Sequence, residues 1–221
     1  MSYLTKATTP QLYLLTNDDK FELLYQKLET ALATGLIGLI QIRRKKILAL
    51  PDGSAQLFEE AREIVELAQS HNVPIVMNDN VDMATQLGIG VHLGQQDGCA
   101  TDARQFLGSA QIVGRTCHGS AALVEKAKSD GASYAAMGAI FASTTKPKAE
   151  AISRQQLEAG CQKDIDICVI GGLTAENISN LKGLPIKYVA VVGDIMDLPV
   201  NQIAKRCQQW QQALSDWNAP A

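Results

Sequence analysis

The 221-residue chain is 46% hydrophobic but only 5% aromatic, so it can bury a sizeable core built on Leu, Ile, Val and Ala. A net charge of −3 offers no basic excess to hold a nucleic-acid backbone, no apolar run approaches bilayer length, and the start, Met1 to Lys6, lacks the charged-then-apolar plan of a signal peptide. The five cysteines are scattered, odd in number and without a CxxC pair, which fits reduced thiols and a cytoplasmic protein.

In chain order, Gln11 to Thr16 is a short apolar run closed by Asn17-Asp18-Asp19. Residues 19–33 then carry Phe21, Leu24, Tyr25, Leu28, Ala31 and Leu32 at helical spacing, and Gly35 ends that helix. Leu36 to Ile42 is continuously apolar, as a strand buried on both faces should be. The unit recurs. Ser54 is expected to cap a helix striped with Leu57, Ala61, Ile64, Val65 and Ala68, which leads into strand Pro74–Met77. Helices over 81–87, 101–107, 121–129, 154–161 and 175–181 alternate with strands over 90–93, 112–116, 133–137, 165–170 and 188–192. An amphipathic helix over 202–217 closes the chain.

Eight such units with no Pro/Gly/Ser-rich linker predict one (β/α)8 barrel domain over residues 1–221, its site at the C-terminal ends of the strands. A doubly wound open sheet is the alternative, but no GxGxxG turn supports it. A homo-oligomer stays open, because no distinctive apolar surface patch is legible.

The polar residues just after each strand converge on one mouth in a closed barrel. They are Thr16-Asn17-Asp18, Gln41 to Lys45, Asn78-Asp79, Gln95-Gln96-Asp97, Thr116, Ser143-Thr144-Thr145-Lys146, Gly171-Gly172 and Gly193-Asp194. Carboxylates, cations and glycine turns together suit a metal-assisted reaction on a phosphorylated substrate. Arg43-Arg44-Lys45-Lys46 could be a solvated basic run. Strand alternation, however, puts Gln41, Arg43 and Lys45 on one side, with Ile42 and Arg44 on the other. That side carries an amide, a guanidinium and an ammonium, which suits a diphosphate. Asp79 could be only a turn residue, yet with Asp97 it would supply the one or two carboxylates that Mg2+ takes. Gly171-Gly172 would let a phosphate approach the amides of a helix N-terminus capped by Thr174. Cys117-His118 is rejected as a nucleophile and base, since neighbours on an extended chain face opposite ways. His71, His92 and His118 show no zinc spacing, and His92 reads as a satisfied core histidine.

Taken together, Gln41-x-Arg43-x-Lys45, Asn78-Asp79, Gly90 to Asp97 and Thr144-Thr145-Lys146-Pro147 resemble the thiamine phosphate synthase family, with Gly171-Gly172 and Ala190-Val191-Val192 in support. The resemblance runs from about Tyr13 to Ile195. It implies a (β/α)8 barrel that joins a hydroxymethylpyrimidine diphosphate to a thiazole phosphate with Mg2+. Gln41, Arg43, Lys45, Asn78, Thr116 and Lys146 would hold the pyrimidine diphosphate, with Arg43, Lys45 and Lys146 catalytic. Asp79 and Asp97 would ligate Mg2+, and Ser143, Thr144, Thr145, Gly172, Val192 and Gly193 would hold the thiazole phosphate. The sequence departs from the family pattern at Ala139 and Ala142, which replace prolines, at Ser143, which replaces a threonine, and at Gly193, which replaces a serine. A related thiazole tautomerase, needing no metal, and a non-catalytic binder of thiazole or thiamine phosphates are the competing readings. No role is legible for Asn17 and Asp18.

Overall fold

The structure is a computed structural model that describes residues 9–142, 150–215 and 217. Eight parallel strands close in sequence order: β1 (Gln11–Leu15), β2 (Ile37–Ile42), β3 (Ile75–Asn78), β4 (Gly90–Leu93), β5 (Val113–His118), β6 (Tyr134–Met137), β7 (Asp166–Ile170) and β8 (Ile186–Val191), which pairs back onto β1. The helices are α1 (Phe21–Leu32), α2 (Lys45–Leu48), α3 (Gly53–Ser70), α4 (Val81–Leu87), α5 (Ala100–Leu107), α6 (Ala121–Ser129), α7 (Arg154–Cys161), α8 (Gly193–Met196) and α9 (Val200–Ser215). This is the (β/α)8 barrel that the alternating pattern predicts. None of its described helices is long and apolar enough to cross a membrane.

The pleat sorts side chains into two layers. Leu12, Leu14, Ile40, Ile42, Val91 and Leu93 join the apolar layer between strands and helices, while Tyr13, Leu15, Leu39, Val76, Tyr134, Ala136, Cys168 and Ala190 fill the barrel interior. Continuous apolar runs follow from having both faces covered. Helix α9 buries Ile203, Cys207, Trp210 and Leu214, a stripe three to four residues apart, and packs on α1. At about 1.5–3 kcal/mol for each large apolar side chain removed from water, that stripe is enough to hold the closing helix in place.

Two helix expectations are corrected. Ser54 is not a cap: α3 begins at Gly53, and its N-cap, Asp52, makes no side-chain cap bond. After β7 there is no α-helix over 175–181, only a turn and a 3-10 helix, Ile178–Leu181. Thr174 does organise that turn, accepting from the Asn177 N–H (3.3 Å) while its own N–H donates to Asn177 Oδ1 (2.9 Å).

Candidate active site

The mouth is built outward from the strand ends. Beyond β3, Asp79 adopts a left-handed backbone (φ 61°), and its N–H donates to the His92 carbonyl at 2.8 Å, which ties it to β4. Its carboxylate accepts from Asn78 Nδ2 (2.6 Å) and from the Gly94 N–H (3.1 Å), and Lys45 Nζ lies 3.3 Å from Oδ2. Beyond β4 the chain turns at Gly94, where the Asp97 N–H reaches the Gly94 carbonyl at 3.3 Å. A Cβ on Gly94 would overlap the Asp97 carboxylate and lie 3.6 Å from Asp79 Oδ1, so the missing side chain is what lets two carboxylates share this space. Lost hydration, then the neighbouring Asp79 charge and a hydrogen bond to it, raise the Asp97 carboxyl above its usual range.

Arg115, which the sequence reading passed over, holds the Asp97 loop. Its Nη1 donates to the carbonyls of Gly94 (2.6 Å) and Gly98 (2.5 Å), and Nη2 reaches the Gln95 carbonyl at 3.4 Å. Gln95 Nε2 in turn donates to the Thr116 carbonyl. An arginine inside an apolar strand, one residue before a candidate site residue, was the available signal.

Lys45 meets Asp79 at the mouth, carried there by α2 and not by strand alternation, whereas Gln41 is a buried side chain of the barrel interior. Gln41 lies within β2, its Nε2 2.6 Å from the Tyr13 hydroxyl, and Lys45 opens α2. Arg43 is half-buried, its N–H held by Thr16 Oγ1 at 2.8 Å. Arg44 faces away, as expected, into a buried ion pair with Glu60 (2.9 Å). Asn17 and Asp18 are structural: Asn17 Nδ2 donates to the Met196 carbonyl (3.1 Å), and Asp18 Oδ1 accepts the Lys46 N–H (3.1 Å). Thr116 lies inside β5, bonded to His92, and His92 is the satisfied core histidine anticipated. Cys117 is fully buried, with its thiol pushed up to about 12 by burial, and His118 is exposed, so neither forms a nucleophilic pair.

Opposite this half, the loop after β6 lies along β7: Ile140 and Phe141 donate N–H groups to the carbonyls of Ile170 and Gly171, both at 3.0 Å. Gly172 has φ 62°, and a Cβ there would strike the Phe141 and Ala142 carbonyls. Val192 precedes α8 and Gly193 begins it. Ser143, Thr144, Thr145 and Lys146 lie outside the described residues.

A family model described as thiamine monophosphate synthase matches residues 12–195, well over half the chain. The chain belongs to the thiamine monophosphate synthase family. It is therefore an enzyme, a transferase of thiamine biosynthesis that acts on small molecules. Solved structures agree in fold. A thiamine phosphate pyrophosphorylase from Pyrococcus furiosus superposes with a TM-score of 0.78 at 21% identity, covering 95% of this chain and 97% of that one. One from Bacteroides thetaiotaomicron gives 0.64 at 18%, covering 93% and 98%. A 3-hexulose-6-phosphate synthase from Salmonella typhimurium gives 0.70 at 13%, covering 94% and 99%, so the barrel alone does not separate thiamine phosphate pyrophosphorylases from other enzymes.

In this synthase-family chain the strand-8 side is braced from outside. Arg206 on α9 pairs with Asp194 (2.6 Å) and Glu176 (2.6 Å), and Trp210 Nε1 donates to Asp194 Oδ2 (2.7 Å). The Arg206 hydrogen bond holds the Glu176 carboxyl down to about 2 from its ordinary 4.5. Arg206→Gln is expected to cost about 2 kcal/mol in denaturant unfolding near neutral pH, because it leaves Asp194 largely buried without its cation. Glu176 has a depressed folded-state pKa, so its share is present above pH 4.5 and is lost as pH falls towards about 2. The gap between wild type and variant should narrow over that acid window. A constant gap would show that the Arg206–Glu176 contact contributes nothing.

Proposed function

We propose that the protein condenses 4-amino-2-methyl-5-hydroxymethylpyrimidine diphosphate with 4-methyl-5-(2-phosphoethyl)thiazole, or its carboxylated form, to give thiamine phosphate and diphosphate. The observation that carries this reading is the carboxylate pair, Asp79 and Asp97, set beside Lys45 at the mouth of a barrel of this family.

The pair suits Mg2+. It offers hard oxygen donors in the number that this ion takes from protein, and a divalent cation would relieve the Asp79 charge that, after lost hydration, raises the Asp97 pKa. Held by Asp79 and Asp97, Mg2+ would supply positive charge to the departing diphosphate.

Gln41, Asn78 and Thr116 hold the pyrimidine in place. Arg43, Lys45 and Lys146 set cationic groups where negative charge grows as the exocyclic C–O bond breaks and its electron pair leaves with the diphosphate. The pyrimidine's 4-amino group donates electrons to the carbon left behind, and the thiazole nitrogen then forms the new C–N bond with its lone pair. No side chain needs to act as nucleophile. Ser143, Thr144 and Thr145, with the amides near Gly172, Val192 and Gly193, grip the thiazole phosphate, and two anchored substrates align nitrogen with carbon. A cytoplasmic setting goes with this reading, supported by five free cysteines among the described residues.

The test is diphosphate release by the purified protein. Release is expected only with both substrates and Mg2+ present, and release no faster than background would sink the reading.

A further inference from the structure

The barrel interior carries a polar chain whose middle side chains have no role in the site described above. Gln41 Nε2 lies 2.6 Å from the Tyr13 hydroxyl, which lies 2.8 Å from the Tyr134 hydroxyl. Tyr134 lies 2.8 Å from His92 Nδ1, and His92 Nε2 lies 2.9 Å from Thr116 Oγ1. The path enters at Gln41 on β2 and leaves at Thr116 on β5. Its two ends are residues placed above against the pyrimidine.

Strand register makes the path. His92, Gly114 and Tyr134 are lateral partners on β4, β5 and β6. Gly114 has no side chain, and a Cβ there would overlap the Tyr134 ring and come within 2.6 Å of His92 Nδ1. The vacancy lets Tyr134 cross β5 and stack on His92, with centroids 5.6 Å apart and planes 19° apart. Tyr13 and Tyr134 are 1% and 0% exposed, so bulk water does not reach their hydroxyls.

Hydrogen counting gives the chain a direction. Burial pushes both phenols far above their ordinary range, so each keeps its single hydrogen. Tyr13 accepts from Gln41 and must donate to Tyr134, and Tyr134 must then donate to His92 Nδ1. With Nδ1 accepting, the His92 ring carries its hydrogen on Nε2 and gives it to Thr116 Oγ1. The hydroxyl hydrogen of Thr116 is left to point elsewhere, and the Gln41 carbonyl is not used by the chain.

We infer that Tyr13, Tyr134 and His92 form a one-way relay that orients Gln41 and Thr116, so that Gln41 turns an acceptor and Thr116 a donor towards the pyrimidine. This rests on the synthase reading for the substrate. A 4-aminopyrimidine offers an N–H donor beside a ring-nitrogen acceptor, which matches that pattern, whereas a 4-oxopyrimidine offers the reverse. The relay is thus a positioning and specificity device, and Tyr13, Tyr134 and His92 are positioning residues.

The direction can be read without substrate. In 15N-histidine-labelled protein with His71→Gln and His118→Gln, the remaining ring should show a bare Nδ1 and a protonated Nε2. Gln41→Glu replaces the donor to Tyr13 by an acceptor, so every bond should reverse and the proton should move to Nδ1. A proton on Nδ1 in the parent, a doubly protonated ring, or an unchanged tautomer in Gln41→Glu would overturn the inference. Should Gln41→Glu fail to fold, Tyr134→Phe decides: it cuts the chain, and the single tautomer should give way to a mixture. Tyr134→Phe should also raise KM for the pyrimidine diphosphate by about tenfold, the value of about one lost hydrogen bond, with KM for the thiazole phosphate unchanged. An equal rise in both would assign Tyr134 to general packing. Because the tautomer is measured on the free protein, failure of the relay and failure of the synthase reading give separate results.

Discussion

Asp97→Asn is expected to lower Mg2+-dependent diphosphate release by at least about a hundredfold, on the order of 3 kcal/mol of barrier, while leaving the folded protein no less stable. The two halves of that expectation come from the same geometry. Asp97 stands at the exposed tip of the loop after β4, where lost hydration and a neighbouring second carboxylate raise its pKa, with Gly94 leaving room for both. In the free protein such a pair is a net repulsion, and replacing one member with an amide of the same shape removes it. In the catalytic reading the pair holds the charge that meets the leaving diphosphate, and the amide cannot replace it. Activity should therefore fall while the unfolding midpoint, measured without Mg2+, stays level or rises. Calorimetric titration with Mg2+ should lose its signal in parallel. Turnover within threefold of the parent would sink the metal role and favour a metal-free tautomerase reading, whereas lost activity with an equal loss of stability would mark Asp97 as structural. The two outcomes separate because, in the catalytic reading, function would rest on an arrangement that weakens the fold.

The barrel was legible because both faces of its strands are covered, which turns each strand into an unbroken apolar run bounded by polar loops. Helices α4, α6 and α7 begin and end at the residues that periodicity predicts, and their caps explain why: Asn80, Ser120 and Ser153 each accept an N–H from the first turn. Where the reading failed, the pattern was ambiguous. Ala175, Ile178 and Leu181 recur every third residue, which fits a 3-10 helix better than the 3.6-residue period. Ser54 has the side chain of a cap, but α3 starts one residue earlier, at Gly53. The strand-end residues Asp79, Asp97 and Lys45 could be placed together because a closed barrel brings every strand end to one rim. What could not be read was lateral. The Tyr13–Tyr134 hydrogen bond spans 121 residues and depends on register across strands, and nothing in the local sequence marks Gly114 as the gap that Tyr134 crosses. Arg115 was missed for the same reason, since its partners are carbonyls of the neighbouring loop.

Arg44→Ala is expected to cost about 3–5 kcal/mol of stability, a large share of the roughly 5–15 kcal/mol that holds a domain folded. Alternation puts Arg44 on the far side from Arg43 and Lys45, and there its side chain is fully buried against Glu60, itself 7% exposed. Nη1 donates to the carbonyls of Asn17 (3.0 Å) and Asp19 (2.6 Å), so one guanidinium joins the loops after β1 and β2 to α3. Nη2 is buried without a hydrogen-bond partner among the described residues, so the pair is imperfectly satisfied. Truncation leaves the Glu60 carboxylate and two carbonyls buried without their donor, which is why the loss should exceed that of a surface ion pair. The double variant Arg44→Met, Glu60→Leu removes both charges and keeps the volume, and should recover most of the stability. It does not restore the grip on Asn17 and Asp19. If that grip sets the stance of Arg43 and Lys45, the double variant should unfold near the parent's denaturant midpoint yet show a severalfold higher KM for the pyrimidine diphosphate. A parental KM would confine Arg44 to holding the fold, and a KM raised in a stable protein would show that the diphosphate clamp is aimed by the buried arginine between its two cations.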